Sequence, residues 1–530
     1  MSVRQKKPIL LLAAVLLIAF GCGSRDSTTT GKNAGNAAKP VIRLTGGDWG
    51  YPTPYAHYPR GPGGFKMCLI FDSLLERGPE GIIPWLAKSW TVSPNGCTYT
   101  FRIRGNVTWH DGTPLTAKDV EFSLKYASQY PAVWSQLDSR EIKTISTEDA
   151  QTVVITTPEP NASLLYRLGR TRLIPEHIWA EIDRPREFTG EHAVIGSGPF
   201  RLTHYNREQG IYRFEPFEDF WGPKIAVNGI QFIPVSQEIL AFENGTIDLA
   251  QVPPDTVKRI QSKAGVNLLR SPGFWGYRLL FNPDRKPLLG ELEFRKALAY
   301  AINRHELVNK VARGAAQPGN PGILPPDHRM YDAHATQYAH DQDRARRLLQ
   351  SVLERKKTAQ SPTEIRILLS NRNREVRLAT LIRQQLTNIG IQLKIQSCDG
   401  KTRDAKVRSG DYELAIIGHG GWGANADYLY ERFYPAPAAS DSPAASGNRV
   451  EISEELAETL IKLHKETDNA FRRELVIKAQ HKLAAELPEL PLYYTTGYVA
   501  YRPGKYDGWT YMYDHHSVVH SKLSYLTGWE

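Results

Sequence analysis

Cysteine is scarce in this chain, with four in 530 residues at Cys22, Cys68, Cys97 and Cys398, and no two of them have metal-ligand spacing. A zinc-ribbon or disulfide-dense scaffold is therefore excluded, and burial of apolar surface has to supply stability. Long hydrophobic runs are missing as well. The apolar run Ile9–Phe20 falls short of the ~20 residues that a membrane-spanning helix needs. No Gly-x-Ser-x-Gly elbow and no His-Glu-x-x-His pair occurs. That removes two hydrolase signatures, although a paired-carboxylate site has no local signature to search for. Positive charge is not concentrated either. Residues 1–40 carry Arg4, Lys6, Lys7, Arg25, Lys32 and Lys39 against Asp26, half of the net excess of +10. The rest of the chain has no dense basic stripe with interleaved aromatics, so a nucleic-acid partner is excluded. No internal repeat is present. With 41% apolar and 23% charged residues, the chain reads as a folded protein too long for a single core, with two or more domains.

What is present begins with an export signal. Arg4, Lys6 and Lys7 precede the apolar run and Gly21-Cys22 closes it, the arrangement of a cleavable leader. The following GSRDSTTTGKNAGNAAKP, residues 23–40, has the composition of a flexible tether. The Gly21-Cys22 junction resembles the lipobox of bacterial lipoproteins, in which the small residue permits cleavage and the thiol receives lipid. Ala19 and Phe20 depart from its usual residues. The resemblance implies a signal peptide over 1–22, lipidation of Cys22, and a periplasmic or cell-surface lipoprotein anchored to a bacterial membrane. Cys68, Cys97 and Cys398 are then an odd set with room for at most one disulfide.

The body of the chain mixes strand and helix periods. Tyr99, Phe101 and Ile103 alternate with polar residues, which predicts a strand with one buried face. Asp-Gly and Pro in DGTP (Asp111–Pro114) predict a turn. Thr116 then stands as N-cap with Asp119 three residues on, an acidic capping box opening a helix. His110 and Asp111 inside this strand-loop-helix unit have no nucleophile or metal ligand beside them in sequence, and they read as scaffold rather than a catalytic pair. Phe294, Ala297, Leu298, Ala301 and Ile302 form a helical stripe. Leu378, Leu381, Ile382 and Leu386 form another, ended by Gly390 as an expected C′ residue, with Ile391, Leu393 and Ile395 alternating after it. Helix, glycine and strand in that order are the material of α/β lobes.

The stretch LAKSWTVSPNGCTYTFRIRGNVTWHDGTPLTAKDVEFSL (Leu86–Leu124) resembles the signature of the family 5 extracellular solute-binding proteins, the peptide, dipeptide and nickel receptors of ABC importers. The resemblance continues in family order through GSGPFRL (Gly196–Leu202), AFENGTIDLA (Ala241–Ala250), LLFNPDRKPLLGELEFRKALAYAINRHELV (Leu279–Val308), LATLIRQQLTNIGIQLKI (Leu378–Ile395), RSGDYELAIIGHGGWGANADY (Arg408–Tyr428) and LAAELPELPLYY (Leu483–Tyr494). It implies an α/β, two-lobed periplasmic-binding-protein fold, type II, of the large peptide-binding class, with an extra subdomain in lobe I. Lobe I is expected over 41–285 with the subdomain at about 70–190, lobe II over 286–489, and a return to lobe I over 490–530. The implied function is capture of a peptide-like solute between the lobes and delivery to an inner-membrane ABC permease, by a monomer with no enzymatic activity and no cofactor. A nickel or metal-chelate receptor is the alternative, with an exported hydrolase behind it.

The resemblance also suggests where the solute sits. Asp427 matches a family aspartate that pairs with the peptide amine, with Asn425 as the competitor if the alignment slips by two. Trp422 stands among glycines that leave room beside it. Trp275, Tyr277 and Arg278 lie at the entry to the second lobe, and Arg278 is placed to meet an anionic group. Tyr51 and Tyr55, with His57 and Tyr58, belong to an aromatic and turn-rich stretch suited to a pocket wall. For a metal chelate, His515, His516, His520 and His419 are the candidates.

Overall fold

The computed structural model describes residues 39–57, 63–79, 81–130, 132, 137, 139–357, 363–420, 425–434, 449–511 and 521–529. The lipidation candidate Cys22, and Tyr58, Trp422, His515, His516 and His520, lie outside them. Among the described residues no helix is long and apolar enough to cross a membrane.

Two large cores organise the unit 39–530. The first belongs to lobe I. Its four-stranded sheet runs Val41–Thr45, Gly229–Ile233, Ile211–Pro216, Phe200–Asn206, with the first pair parallel and the others antiparallel. A second four-stranded sheet, Ala87–Val92, Thr98–Ile103, Thr152–Thr156, Thr144–Asp149, carries the helix Ala117–Gln129. Here the alternation found in the sequence is real, since Tyr99, Phe101 and Ile103 are all buried. The capping box is also as expected, with the Asp119 carboxylate accepting the Thr116 N–H at 2.8 Å.

The second core belongs to lobe II. One sheet runs in the order Leu249–Val252, Glu489–Tyr501, Asn267–Phe281, Leu414–Gly420, Thr363–Ser370, Ile391–Cys398, with Ala316–Pro318 paired to the second of these strands. The helices Leu292–Ala301 and Asn373–Thr387 place both predicted stripes in this core. Gly390 has φ +88, three residues beyond the last helical one, so the left-handed step comes later than the expected C′ position.

His110 and Asp111 do not form a pair. The His110 ring accepts the Gly196 N–H at Nδ1 (3.3 Å) and donates from Nε2 to the Gly198 carbonyl (2.9 Å), while Asp111 bonds His177 at 2.8 Å. Both glycines press on the Ile70 backbone, and a Cβ at Gly196 would meet the Ile70 oxygen at 2.1 Å. The histidine thus ties the Trp-His-Asp-Gly loop to the Gly-Ser-Gly-Pro loop. Both ring nitrogens are used in the neutral form.

That arrangement has a pH consequence. Burial pulls His110 down to about 4, His57 to about 4 and His328 to about 3. An unfolded histidine takes its proton near pH 6.5, so these sites contribute stability that is complete above that pH and is lost progressively as pH falls toward 4. Each should cost on the order of 2–3 kcal/mol across that window. Urea unfolding at pH 7.5 and pH 4.5 should show the loss, and His110→Asn should reduce the pH slope. Equal stability at both pH values would refute the buried neutral assignment.

A further buried charge cluster closes lobe I. Lys522, from the turn Lys522–Tyr525, places its Nζ 2.7 Å from both Asp72 and Glu76 and 4.5 Å from the centre of the Trp85 ring. Asp72 is also held by the indole N–H of Trp85 (2.7 Å) and of Trp221 (3.2 Å).

Candidate functional site

Two strands pass from one core to the other. Asn267–Phe281 and Glu489–Tyr501 pair antiparallel along their length, with Leu269, Val499 and Tyr501 packed in or against the lobe I core and Tyr277, Leu279, Leu490 and Leu492 in that of lobe II. The pairing loses register between Ser271 and Trp275. At that point Asp327 substitutes for the missing ladder bonds. Its carboxylate accepts the Gly273 N–H at 2.6 Å, the Gln317 amide at 3.1 Å and the Arg270 guanidinium at 3.0 Å. A bulge pinned by one side chain is a natural place for a ribbon to bend.

Trp275 emerges beside this bulge, half-buried, its ring in edge contact with Tyr277 at 4.8 Å. It lies over Gly418 of the neighbouring strand, where a Cβ would come within 2.4 Å of the ring. Gly418→Ala should therefore cost about 1–3 kcal/mol through displacement of the indole. The same change in a Trp275→Leu background should cost much less, as a thermal-denaturation double-mutant cycle would show. Additive costs would mean the ring is held elsewhere.

A second junction joins 141–167 of lobe I to 427–472 of lobe II. Asp427 is fully buried and precedes the short helix Tyr428–Phe433. The Arg472 guanidinium donates to its Oδ1 at 2.6 Å, His464 Nδ1 stands 2.8 Å from its Oδ2, and the Ser163 hydroxyl donates to Oδ2. Burial pushes this carboxyl up, but Arg472 and His464 outweigh it and hold it below the usual carboxylate range. Around the pair, Arg167 bonds Glu141 and reaches Glu431 at 3.2 Å, the Ala162 N–H donates to the His464 carbonyl at 2.9 Å, and Tyr430 stacks on His464 at 4.1 Å.

The expected solute residues fall into separate places. Both Asp427 oxygens have protein partners, so the open carboxylate anticipated for a solute ammonium is already engaged. Asn425 accepts the Asp427 N–H at 3.0 Å, an Asx turn that shapes the loop. Arg278, 2% exposed, bonds Glu489 at 3.2 Å and the Tyr428 hydroxyl at 3.2 Å inside lobe II. Tyr277 packs against Tyr493 at 5.4 Å. Tyr55 is buried between Tyr126 and Trp179, each at 5.5 Å, and its edge lines a recess of about 340 Å³ with Tyr130 and Arg184–Glu187. Tyr51 is half-buried against Tyr205 at 5.4 Å. Among the described residues of this set, Trp275 and Tyr51 keep partly open rings. Ser163, Arg167, His464 and Arg472 escaped sequence reasoning, because no local motif links residues so far apart in the chain.

Comparison with known proteins fits this architecture. The profile of the bacterial extracellular solute-binding proteins, family 5, middle region, matches residues 81–441. A Brucella ovis protein provisionally named an ABC transporter peptide-binding protein is 29% identical over 353 residues, 65% of this chain. The match spans 64% of that relative's own length. The Bacillus subtilis dipeptide-binding protein DppE is 23% identical over 441 residues, 78% of each chain. In fold, the chain is similar to the Helicobacter pylori ABC transporter-associated periplasmic binding protein DppA in complex with the peptide STSA. The TM-score is 0.72 at 23% identity, over 92% of this chain and 98% of that one. The architecture is the expected α/β, two-lobed, type II periplasmic-binding-protein fold. With a family profile covering most of its length and two cores joined by a pinned pair of crossing strands, the chain belongs to the bacterial extracellular solute-binding proteins, family 5.

Proposed function

We propose that this chain is the solute-capturing component of an ABC importer, anchored to a bacterial membrane through lipid on Cys22, which closes two lobes on a peptide-like solute and presents it to an inner-membrane permease. The observation that carries the reading is the bulged crossing of Asn267–Phe281 and Glu489–Tyr501, pinned by Asp327. It gives two separately cored lobes a common bend point. Family membership and the dipeptide-binding relative support the solute class. Trp275 and Tyr51 supply partly open aromatic faces for such a solute.

The engagement of Asp427 favours a second reading within the same class, a solute without a free α-ammonium, such as an opine or an N-blocked peptide. A thermal-shift screen of the exported domain from Lys39 onward tests both. A ligand that binds only the native state raises the melting temperature by mass action. A shift with free peptides supports the first reading, and equal shifts with N-acetylated peptides or opines support the second. No shift with peptides, opines, sugars or nickel with histidine, together with cleavage of a chromogenic substrate, would overturn both.

A further inference from the structure

We propose that lobe I carries a second small-molecule site, the recess of about 340 Å³ beside Tyr55, and that it takes a small aromatic carboxylate. The first observation is an unanswered donor. Tyr55 is 4% exposed, its ring held between Tyr126 and Trp179 at 5.5 Å each. Its hydroxyl has no hydrogen-bond partner among the described residues, although the side chain borders the recess. Burial pushes this phenol up, so it stays protonated and has a hydrogen to give. A buried hydroxyl is ordinarily paired, and the recess is where an acceptor can reach this one.

The second observation is charge. Another wall of the recess is the turn Arg184-Pro185-Arg186-Glu187, closed by the Glu187 N–H on the Arg184 carbonyl at 3.0 Å. Proline at its second position presets the bend. Both arginines are exposed and stand at the mouth. Glu187 lies 3.6 Å from Arg184, while Arg186 has no acidic partner among the described residues. The charges of this wall sum to one cation, which suits a monoanion. The third observation is shape. Buried Pro185 and the half-buried Tyr130 ring supply apolar surface. Tyr130 rests on Tyr126 at 4.8 Å, and the Tyr126 hydroxyl donates to the Ile182 carbonyl at 2.6 Å, which ties this helix end to the segment bearing the arginines. The walls are thus set before a ligand arrives. Water would answer the Tyr55 hydroxyl alone. A flat apolar body with a carboxylate at one end answers the hydroxyl, the arginine and the apolar walls together.

Every residue named here lies in lobe I, so the site is complete without lobe closure and does not depend on which solute the lobes capture. Its test is titration of the full exported domain with phenylacetate, followed by saturation-transfer NMR, with phenethylamine as the cationic counterpart. The acid should bind saturably and the amine should not. Tyr55→Phe removes the hydroxyl and keeps the ring. No protein hydrogen bond is lost, so this variant should melt like the wild type yet bind the acid about tenfold more weakly. Arg186→Gln should weaken the acid as well. Equal affinity in wild type and Tyr55→Phe, equal binding of the amine, or no binding of the acid would overturn the site. A response lost in Trp275→Leu and kept in Tyr55→Phe would place the acid between the lobes and overturn it too.

Discussion

Asp427→Ala should destabilise the folded chain by about 3–5 kcal/mol, the cost of leaving a buried charge without its partner. Arg472, mostly buried, keeps the Leu463 carbonyl at 2.8 Å but loses the carboxylate at 2.6 Å. His464 and Ser163 lose their acceptor at the same time. Urea denaturation of the solute-free protein measures the loss. Asp427→Asn should fall between the two, since it keeps the shape and one oxygen. Adding Arg472→Met to Asp427→Ala should recover part of the stability, because it removes the orphaned cation. A solute-free Asp427→Ala protein as stable as wild type, with weakened solute binding alone, would instead mark Asp427 as an open amine anchor.

Lys522→Met should have a comparable effect in lobe I. It leaves Asp72, fully buried, and Glu76 without the ammonium that stands 2.7 Å from each. The remaining partners are unequal. Asp72 keeps its indole donors, whereas Glu76 is left with the Arg77 N–H at 3.1 Å and Arg172 at 3.8 Å. Burial pushes Glu76 up, while Lys522 and Arg172 hold it below the usual range. A loss of about 3–5 kcal/mol is expected at pH 7. Without the lysine the Glu76 carboxyl should rise, so the deficit against wild type should shrink as pH falls and the group takes up a proton. A deficit that is small at pH 7, or equal at pH 7 and pH 5, would mean that the segment docks through Leu523 and Tyr525 and not through its charge.

These two clusters mark where the sequence stops being readable. Strand Thr98–Ile103, its capped helix and the two lobe II stripes were legible because each rests on a period or a cap within twenty residues. Family order implied the two-lobed fold for the same reason, since each block is a local string. Ser163 and Asp427 are 264 positions apart, and Lys522 and Asp72 are 450 apart. No spacing rule reaches that far. Tyr55 and Arg278 have partners that are also distant in the chain. An aromatic, turn-rich stretch suggested a pocket wall, but Tyr126 and Trp179 bury the Tyr55 ring in a core. Arg278 suggested contact with a solute anion, but Glu489 and Tyr428 draw it inward, and neither partner could be assigned to it from sequence.

The crossing strands bear on how the protein comes apart as well as on how it bends. Residues of one ladder sit in both interiors, so melting either lobe strips hydrogen bonds from strands that the other lobe needs. Two bodies joined by a loose linker would unfold in separate steps, each with its own enthalpy. Here the shared ladder couples them, and calorimetry should record one transition whose van't Hoff enthalpy approaches the calorimetric value. Amide exchange should break that unity at one spot, with the Gly273 and Phe274 amides exchanging under native conditions while the pairs on either side wait for global unfolding.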